Sequence, residues 1–388
     1  MNSTKKPLNK LSLAYSTWDE KEIFAMNDVI NSGRFTMGER VEEFEANFSK
    51  FIGTKYSVMV NSGSSANLLM VAALFAQKKL TKGDEIIVPA VSWSTTYLPL
   101  QQYGLKVKFI DIDLETLNLD LKELKKAIST KTKAIFLVNL LGNPVNINEL
   151  NEFVDREKVY ILEDNCESLG AKIESKRAGT FGIMSSHSFF FSHHISTMEG
   201  GMISTDDEEI YLILKSLRAH GWTRDLPDES NLHSKSEDPF YDMFNFIIPG
   251  YNLRPLELSG AIGIEQLKKL NNLIKVRRQN AKLFNEIMAE KKDILIQREI
   301  GESSWFGFSM INKNEKISPK KFREKISNLG FEIRPIVAGN FTRNKVIEYF
   351  NFEVFGNLKN ADYLHENGLF IGNNSIDISD HLKRLIDL

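Results

Sequence analysis

The string Ser188-Phe189-Phe190-Phe191-Ser192-His193-His194 ends an aromatic run on a hydroxyl and two imidazoles. Imidazole titrates near neutral pH, so a histidine held at a site accepts a proton in one step and returns it in the next. It does not form the lasting carbon–nitrogen bond that a lysine amine makes with a carbonyl. A histidine after such a run serves equally well as a structural group. A metal reading fails, because no further Cys, His, Asp or Glu stands at a recognised ligand spacing, and no metal is expected.

Other segments carry compatible chemistry. Asn61-Ser62-Gly63-Ser64-Ser65 joins a β-branched run to a helical one. Glycine there lets the backbone come close to an anion, the first helical N–H groups point outwards, and Ser64 adds a hydroxyl donor. The same residue types make an ordinary N-cap. Asp164 follows the apolar run Val159–Leu162, where the end of a parallel strand would present it to a ligand. A carboxylate there suits a protonated ring nitrogen, or simply a helix cap. Trp93, just past Glu85–Pro89, offers a flat face for stacking, or for the core. His220, Asn252 and Arg254 stand in Arg218-Ala219-His220-Gly221-Trp222 and Gly250-Tyr251-Asn252-Leu253-Arg254-Pro255. The guanidinium of Arg254 suits a carboxylate or phosphate, and both strings also suit structural turns.

Positioning these groups calls for a layered fold. Apolar runs at Tyr56–Val60, Glu85–Pro89, Val107–Ile112, Ala134–Val138 and Val159–Leu162 alternate with helical stretches such as Ala66–Ala76 and Leu121–Ile128. That rhythm predicts an α/β fold with a mostly parallel sheet covered by helices on both faces. Strands are also expected at Ser186–Phe191 and Gly201–Ser204, an exposed loop at Leu226–Pro239, and a long helix at Leu256–Lys282 entered through Pro255. The glycine-punctuated remainder reads as a smaller α+β domain. The expected division is residues 1–255 for the large domain and 256–388 for the linking helix and small domain.

Composition sets the outer limits. The chain has 388 residues, 42% hydrophobic and 26% charged, as in ordinary globular proteins. With 49 basic and 51 acidic residues the net charge is −2, which gives no reason to expect nucleic acid or a membrane as partner. The one cysteine, Cys166, excludes a disulfide within the chain. The opening MNSTKKPLNKLSLAYSTWDEKE has no apolar signal region, and a cytoplasmic protein is expected.

Taken together, the motifs are specific in order and spacing. The chain resembles the sugar aminotransferase (DegT/DnrJ/EryC1/StrS) family of pyridoxal 5'-phosphate (PLP) enzymes over almost its whole length, from about Leu13. The closer likeness is to the branch in which histidine replaces the lysine that bonds the cofactor. It rests on FTMGE (35–39), GDEIIVPAVSWSTTY (83–97), LEDNCES (162–168), SHHISTMEGGM (192–202), RAHGWTR (218–224), PGYNLRPLE (249–257) and GESSWFGFS (301–309). The resemblance implies the type I, aspartate aminotransferase-like fold with a seven-stranded large sheet. It also implies PLP, or its amino form pyridoxamine 5'-phosphate, bound without a covalent link.

The resemblance further implies a role for each matching position. Gly63, Ser64 and Ser188 would bind the cofactor phosphate, Trp93 would stack on the ring, Asp164 would pair with the ring nitrogen and Glu167 would lie near it. Asn252 would reach the cofactor of a second subunit, which implies a homodimer with shared active sites. His220 and Arg254 would lie near the substrate. His193 would be the catalytic acid/base rather than His194, because the family's lysine directly follows Ser-Phe-x-x-Ser/Thr, which ends here at Ser192. No lysine stands between Arg177 and Leu214 to replace it, and Glu167 stands where aminotransferases commonly have glutamine. The implied reaction removes the C3 hydroxyl of a GDP-linked 4-keto-6-deoxy sugar with L-glutamate as amino donor, releasing 2-oxoglutarate and ammonia. It would belong to a colitose-type dideoxysugar route to a bacterial surface polysaccharide. Three alternatives stay open: a nucleotide-sugar 4-aminotransferase of the same fold, a 3-dehydratase of another nucleotide keto sugar, and a PLP-fold protein without activity.

Overall fold

The short apolar runs become strands because β-branched and aromatic side chains suit a buried pleated surface. The computed structural model describes residues 10–236 and 238–388. The first nine residues of the stretch read for a secretion signal, and Glu237 of the polar loop, lie outside the described residues. Strands β1 (Tyr56–Val60), β2 (Glu85–Pro89), β3 (Lys106–Ile110), β4 (Thr132–Val138) and β5 (Tyr160–Asp164) come first. A hairpin, β6 (Lys172–Ile173) and β7 (Lys176–Arg177), precedes β8 (Met184–Ser188) and β9 (Gly201–Thr205). The rest of the chain adds β10 (Ile294–Ile296), β11 (Gly307–Asn312), β12 (Ile333–Arg334), β13 (Phe352–Val354) and β14 (Gly368–Gly372).

The large sheet has 8 strands in the order β1-β9-β8-β5-β4-β2-β3-β13. Only β9 runs against the others: it is antiparallel to both β1 and β8, while the remaining pairs are parallel. The seven-stranded expectation accounts for β1 to β5, β8 and β9. The eighth strand, β13, comes from the C-terminal part of the chain and extends the edge beside β3. Charge holds it there. Lys108 Nζ lies 2.7 Å from Glu85 and 3.2 Å from Glu353, and Lys106 also pairs with Glu353. Three residues of alternating exposure gave no sequence signal for this pairing.

Helices cover both faces, as expected for a parallel sheet. One face packs Leu69, Met70 and Leu74 of the helix Gly63–Ala76 and Ile213 and Leu217 of Glu208–Leu217 against Val58, Val88, Phe109 and Phe136. The other packs Leu124 and Leu150 against Ile87, Ile135 and Ile161. The smaller sheet, β10-β11-β14-β12, encloses a core of its own around Phe284, Phe308, Phe331 and Ile371.

The helix Glu257–Met288 joins the two cores, with Ile264, Leu270 and Ile274 in one cluster and Ala281, Phe284 and Met288 in another. Its first residue also caps a neighbour: Glu257 accepts from the N–H of Gly38 at 2.6 Å and of Arg40 at 2.7 Å, satisfying the first turn of the helix Glu39–Ile52. Gly260 permits the crossing, since a Cβ there would fall 2.7 Å from Val41 N. Among the described residues no helix is long and apolar enough to cross a membrane.

β8 stops at Ser188, short of the expected Phe191. The chain turns instead, with His193 N–H donating to Phe190 O at 2.9 Å, and Phe190 and Phe191 stand exposed. That turn carries His193 out of the sheet and towards the ends of the parallel strands.

Candidate active site

A cavity of about 520 Å3 opens where β1, β2, β4, β5 and β8 end, the position at which open α/β sheets bind ligands. Its lining includes Gly63, Ser64, Trp93, Asp164, Glu167, Ser188 and His193. Seven of the residues expected from the sequence are therefore brought to one place from four separate stretches of chain.

Gly63 opens the helix Gly63–Ala76, whose first-turn N–H groups have no acceptor inside the helix. Ser62 caps it, accepting from Ser65 N–H at 3.1 Å. A Cβ at Gly63 would fall 2.6 Å from Ser188 Cβ and 3.1 Å from Cys166 Sγ, so only glycine lets the helix start approach β8 this closely. Helix amides and the hydroxyls of Ser64 and Ser188 form a concave, donor-rich cradle suited to a phosphate. Trp93, 57% exposed, precedes the helix Ser94–Gln102 and shows its ring to the cavity instead of entering the core.

Asp164 closes β5 and is fixed by its neighbours. Its Oδ2 accepts from Thr96 Oγ1 at 2.7 Å and Asn67 Nδ2 at 2.9 Å, and its Oδ1 from Cys166 N–H at 3.2 Å. Thr96 in turn is bonded to Ser92 at 2.8 Å. Glu167 accepts from Leu141 N–H at 2.9 Å. Burial, and secondarily the charge of Asp164, push its carboxyl up to about 7 against the pull of that N–H.

His193 packs its ring 5.3 Å from that of Phe306 and 6.2 Å from that of Phe190, and its buried Nδ1 has no hydrogen-bond partner. Burial first, then the positive charge of Arg277, hold its imidazole down to about 4, so at neutral pH the ring is uncharged and free to accept a proton. Arg277 is itself anchored on carbonyls, donating to Phe306 O at 3.1 Å and to Asn373 O. His194 does not border the cavity. It is 1% exposed, and its Nε2 bonds to Ser304 O at 3.1 Å.

His220, Asn252 and Arg254 lie outside this cavity. They gather around Trp222: the His220 ring is 4.9 Å from it, the Arg254 guanidinium carbon 5.7 Å, and Arg254 Nε donates to Asn252 Oδ1 at 3.1 Å. Several lining residues were not singled out from the sequence. Glu199 stood inside a motif already noted. Phe306 likewise stood inside GESSWFGFS (301–309), Asn139 had no local signal, and Arg334 arrives from β12 of the smaller sheet. Backbone strain marks the same region. Leu141 (φ 53), Met198 (φ 69) and Val337 (φ 42) are non-glycine residues in the left-handed region, each at or beside a lining residue.

Residues 16–384 match the DegT/DnrJ/EryC1/StrS aminotransferase family. The chain belongs to this family. Within the DegT/DnrJ/EryC1/StrS family it is similar to a GDP-4-keto-6-deoxy-D-mannose 3-dehydratase of Yersinia pseudotuberculosis, 54% identical over 99% of both chains. Two solved structures of GDP-4-keto-6-deoxymannose-3-dehydratase are also close. One holds a trapped PLP-glutamate geminal diamine, with a TM-score of 0.96 and 55% identity over 97% of this chain and 99% of that one. The other is a variant with bound GDP-perosamine, with a TM-score of 0.95 and 55% identity over 97% and 99%.

Proposed function

We propose that the chain is a PLP-dependent 3-dehydratase of GDP-4-keto-6-deoxy-D-mannose, taking its amino group from L-glutamate. The observation that carries this reading is that His193 borders the cavity and, among the described residues, no lysine does. The residues present fit PLP: the Gly63–Ser188 cradle suits its phosphate, the exposed face of Trp93 its ring, and the braced carboxylate of Asp164 its ring nitrogen. When bound, the cofactor draws electrons from the attached carbon framework, so that a proton or a leaving group can depart.

The chain's own residues then divide the work. Ser64, Ser188 and the first-turn amides would hold the phosphate, and Asp164, fixed by Thr96 and Asn67, would pair with the ring nitrogen and favour its protonated form. Phe306, packed 5.3 Å from the imidazole, shields one side of His193 from water. The uncharged imidazole of His193 takes a proton from carbon, and as imidazolium it donates one to the departing C3 oxygen of the sugar, which leaves as water. A lysine in this position would bond the cofactor and protonate the sugar at C4; an imidazole moves protons only. The products are GDP-4-keto-3,6-dideoxymannose, 2-oxoglutarate and ammonia.

The reading extends to a cytoplasmic homodimer. Asn252 is exposed beside Arg254 and His220, available to complete the phosphate site of a second subunit. The exposed apolar side chains Phe240, Phe244, Phe246 and Leu256, which flank Asn252 in sequence, support a partner surface.

The test is direct. Purified protein with PLP, L-glutamate and GDP-4-keto-6-deoxymannose is expected to give a sugar lighter by one oxygen and one ammonia per turnover. A 4-amino sugar without free ammonia would overturn the dehydratase reading in favour of amino transfer.

A further inference from the structure

The charges lining the cavity are unbalanced. Asp164 and Glu199, with Glu167 partly ionised near neutrality, supply the acidic side chains, while among the described lining residues Arg334 is the single guanidinium and no lysine is present. Both proposed ligands, L-glutamate and a nucleotide diphosphate sugar, are anions. Such a cavity repels them unless a cation inside it offsets the carboxylates.

Arg334 has no strong partner of its own. The nearest acid is Glu332, 3.9 Å from Nη2, beyond hydrogen-bond distance, and Glu332 Oε2 already accepts from Leu13 N–H at 3.2 Å. The side chain is 64% exposed, yet its backbone is tightly specified. Arg334 pairs with Phe370 of β14, and Pro335 fixes the next residue. Val337 then adopts φ 42, a conformation rare for a β-branched residue, and the turn closes with Gly339 N–H on Ile336 O at 2.8 Å. Arg334, Pro335 and Val337 all face the cavity. A strained, defined segment thus delivers one guanidinium, held only by a 3.9 Å pair with Glu332, to an otherwise acidic site.

The two ligands place their charge differently. Glutamate carries a carboxylate on the very carbon that loses its proton, so the countercharge has to lie inside the cavity. The diphosphate of a nucleotide sugar is separated from the reacting C3 by the sugar ring and reaches outwards. We infer that Arg334 is a specificity-determining residue for the amino donor, pairing through its planar fork with a donor carboxylate. This inference rests on the proposed reading of the site.

The test uses two probes titrated by calorimetry. α-Methyl-L-glutamate, which lacks the proton that would be removed, is offered to the PLP-loaded protein, and GDP-perosamine, representing the nucleotide sugar, is offered to protein loaded with pyridoxamine 5'-phosphate, where its amine has no aldehyde to condense with. R334Q is expected to bind α-methyl-L-glutamate on the order of 10- to 100-fold more weakly, the loss of a charge-assisted bidentate pair. Its affinity for GDP-perosamine is expected to change by less than about twofold. R334K, which keeps the charge and loses the fork, is expected to fall in between. Unchanged affinity for the amino acid would overturn the inference. So would a loss confined to GDP-perosamine, which would assign the guanidinium to the diphosphate. Failure of the dehydratase reading looks different: the wild-type protein would convert glutamate to 2-oxoglutarate yet leave the sugar oxygen in place.

Discussion

His193 and His194 are neighbours in sequence with opposite surroundings: His193 borders the cavity, while His194 is sealed against Ser304 O at 3.1 Å. One imidazole is presented to a ligand and the other is fixed in the packing. His193→Asn is therefore expected to keep the cofactor bound and to slow both the glutamate and the sugar half-reactions by at least about 100-fold. An unimpaired glutamate half-reaction would show that a second base is at work. His193→Lys is expected to capture PLP covalently, seen as a mass increase after borohydride reduction, and to abolish deoxygenation.

Asp164 depends on Thr96 for one of its two side-chain donors. Thr96→Val keeps the shape and removes that donor, leaving part of a buried carboxylate unsatisfied. The expected cost is about 1–3 kcal/mol, read as weaker PLP affinity by spectroscopic titration. Equal PLP affinity in the variant would mean that Asn67 alone suffices.

Close packing at the phosphate cradle gives a third expectation. Gly63→Ala puts a methyl 2.6 Å from Ser188 Cβ, so the helix start and β8 have to separate. Overpacking of this kind costs about 1–3 kcal/mol, and PLP affinity is expected to fall with it. Adding Ser188→Gly should restore part of the stability but not the affinity, since the Ser188 hydroxyl is lost too.

Glu167 gives a pH expectation. With its carboxyl raised to about 7, chiefly by burial, it is mainly protonated below that pH and ionised above it. The pH profile is expected to show a limb near neutrality that Glu167→Gln removes. A limb that persists in the variant would assign it to another group.

Buried histidines tie stability to acid. Burial depresses His187 to about 3 and His193 to about 4, below the ordinary value of 6.5. As pH falls from 6.5 towards those values the unfolded chain takes up protons that the folded chain refuses, so stability falls over that window and levels off below it. The thermal midpoint is expected to drop between pH 7 and 5, and His187→Asn to flatten that slope. An unchanged slope would point to the carboxylates instead.

The strand ends that build the site were legible because parallel strands leave continuous apolar runs. β1 and β2 carry the expected boundaries, and Asp164 and Trp93 stand where those runs stop. The bracing of Asp164 was not legible, because Thr96 and Asn67 meet it only through tertiary folding. Arg334 lies 170 residues beyond Asp164 with no motif around it. The end of β8 was misjudged because Phe189, Phe190 and Phe191 look alike in sequence, whereas only Phe189 is buried and the other two face solvent. Single-chain geometry also leaves His220, Asn252 and Arg254 outside the cavity that the resemblance associates them with.

The eighth strand of the large sheet has a consequence for the order in which the protein can be made. β13 is synthesised after the smaller domain is well under way, yet it completes an edge beside β3, near the N-terminal half. During synthesis that edge stays unpaired, and Lys106 and Lys108 have Glu85 but not yet Glu353. Domain-by-domain folding on the ribosome thus leaves the large sheet with an open border until almost the whole chain has emerged. Closing that border is a late, long-range event, the kind that slows folding and calls for chaperone protection.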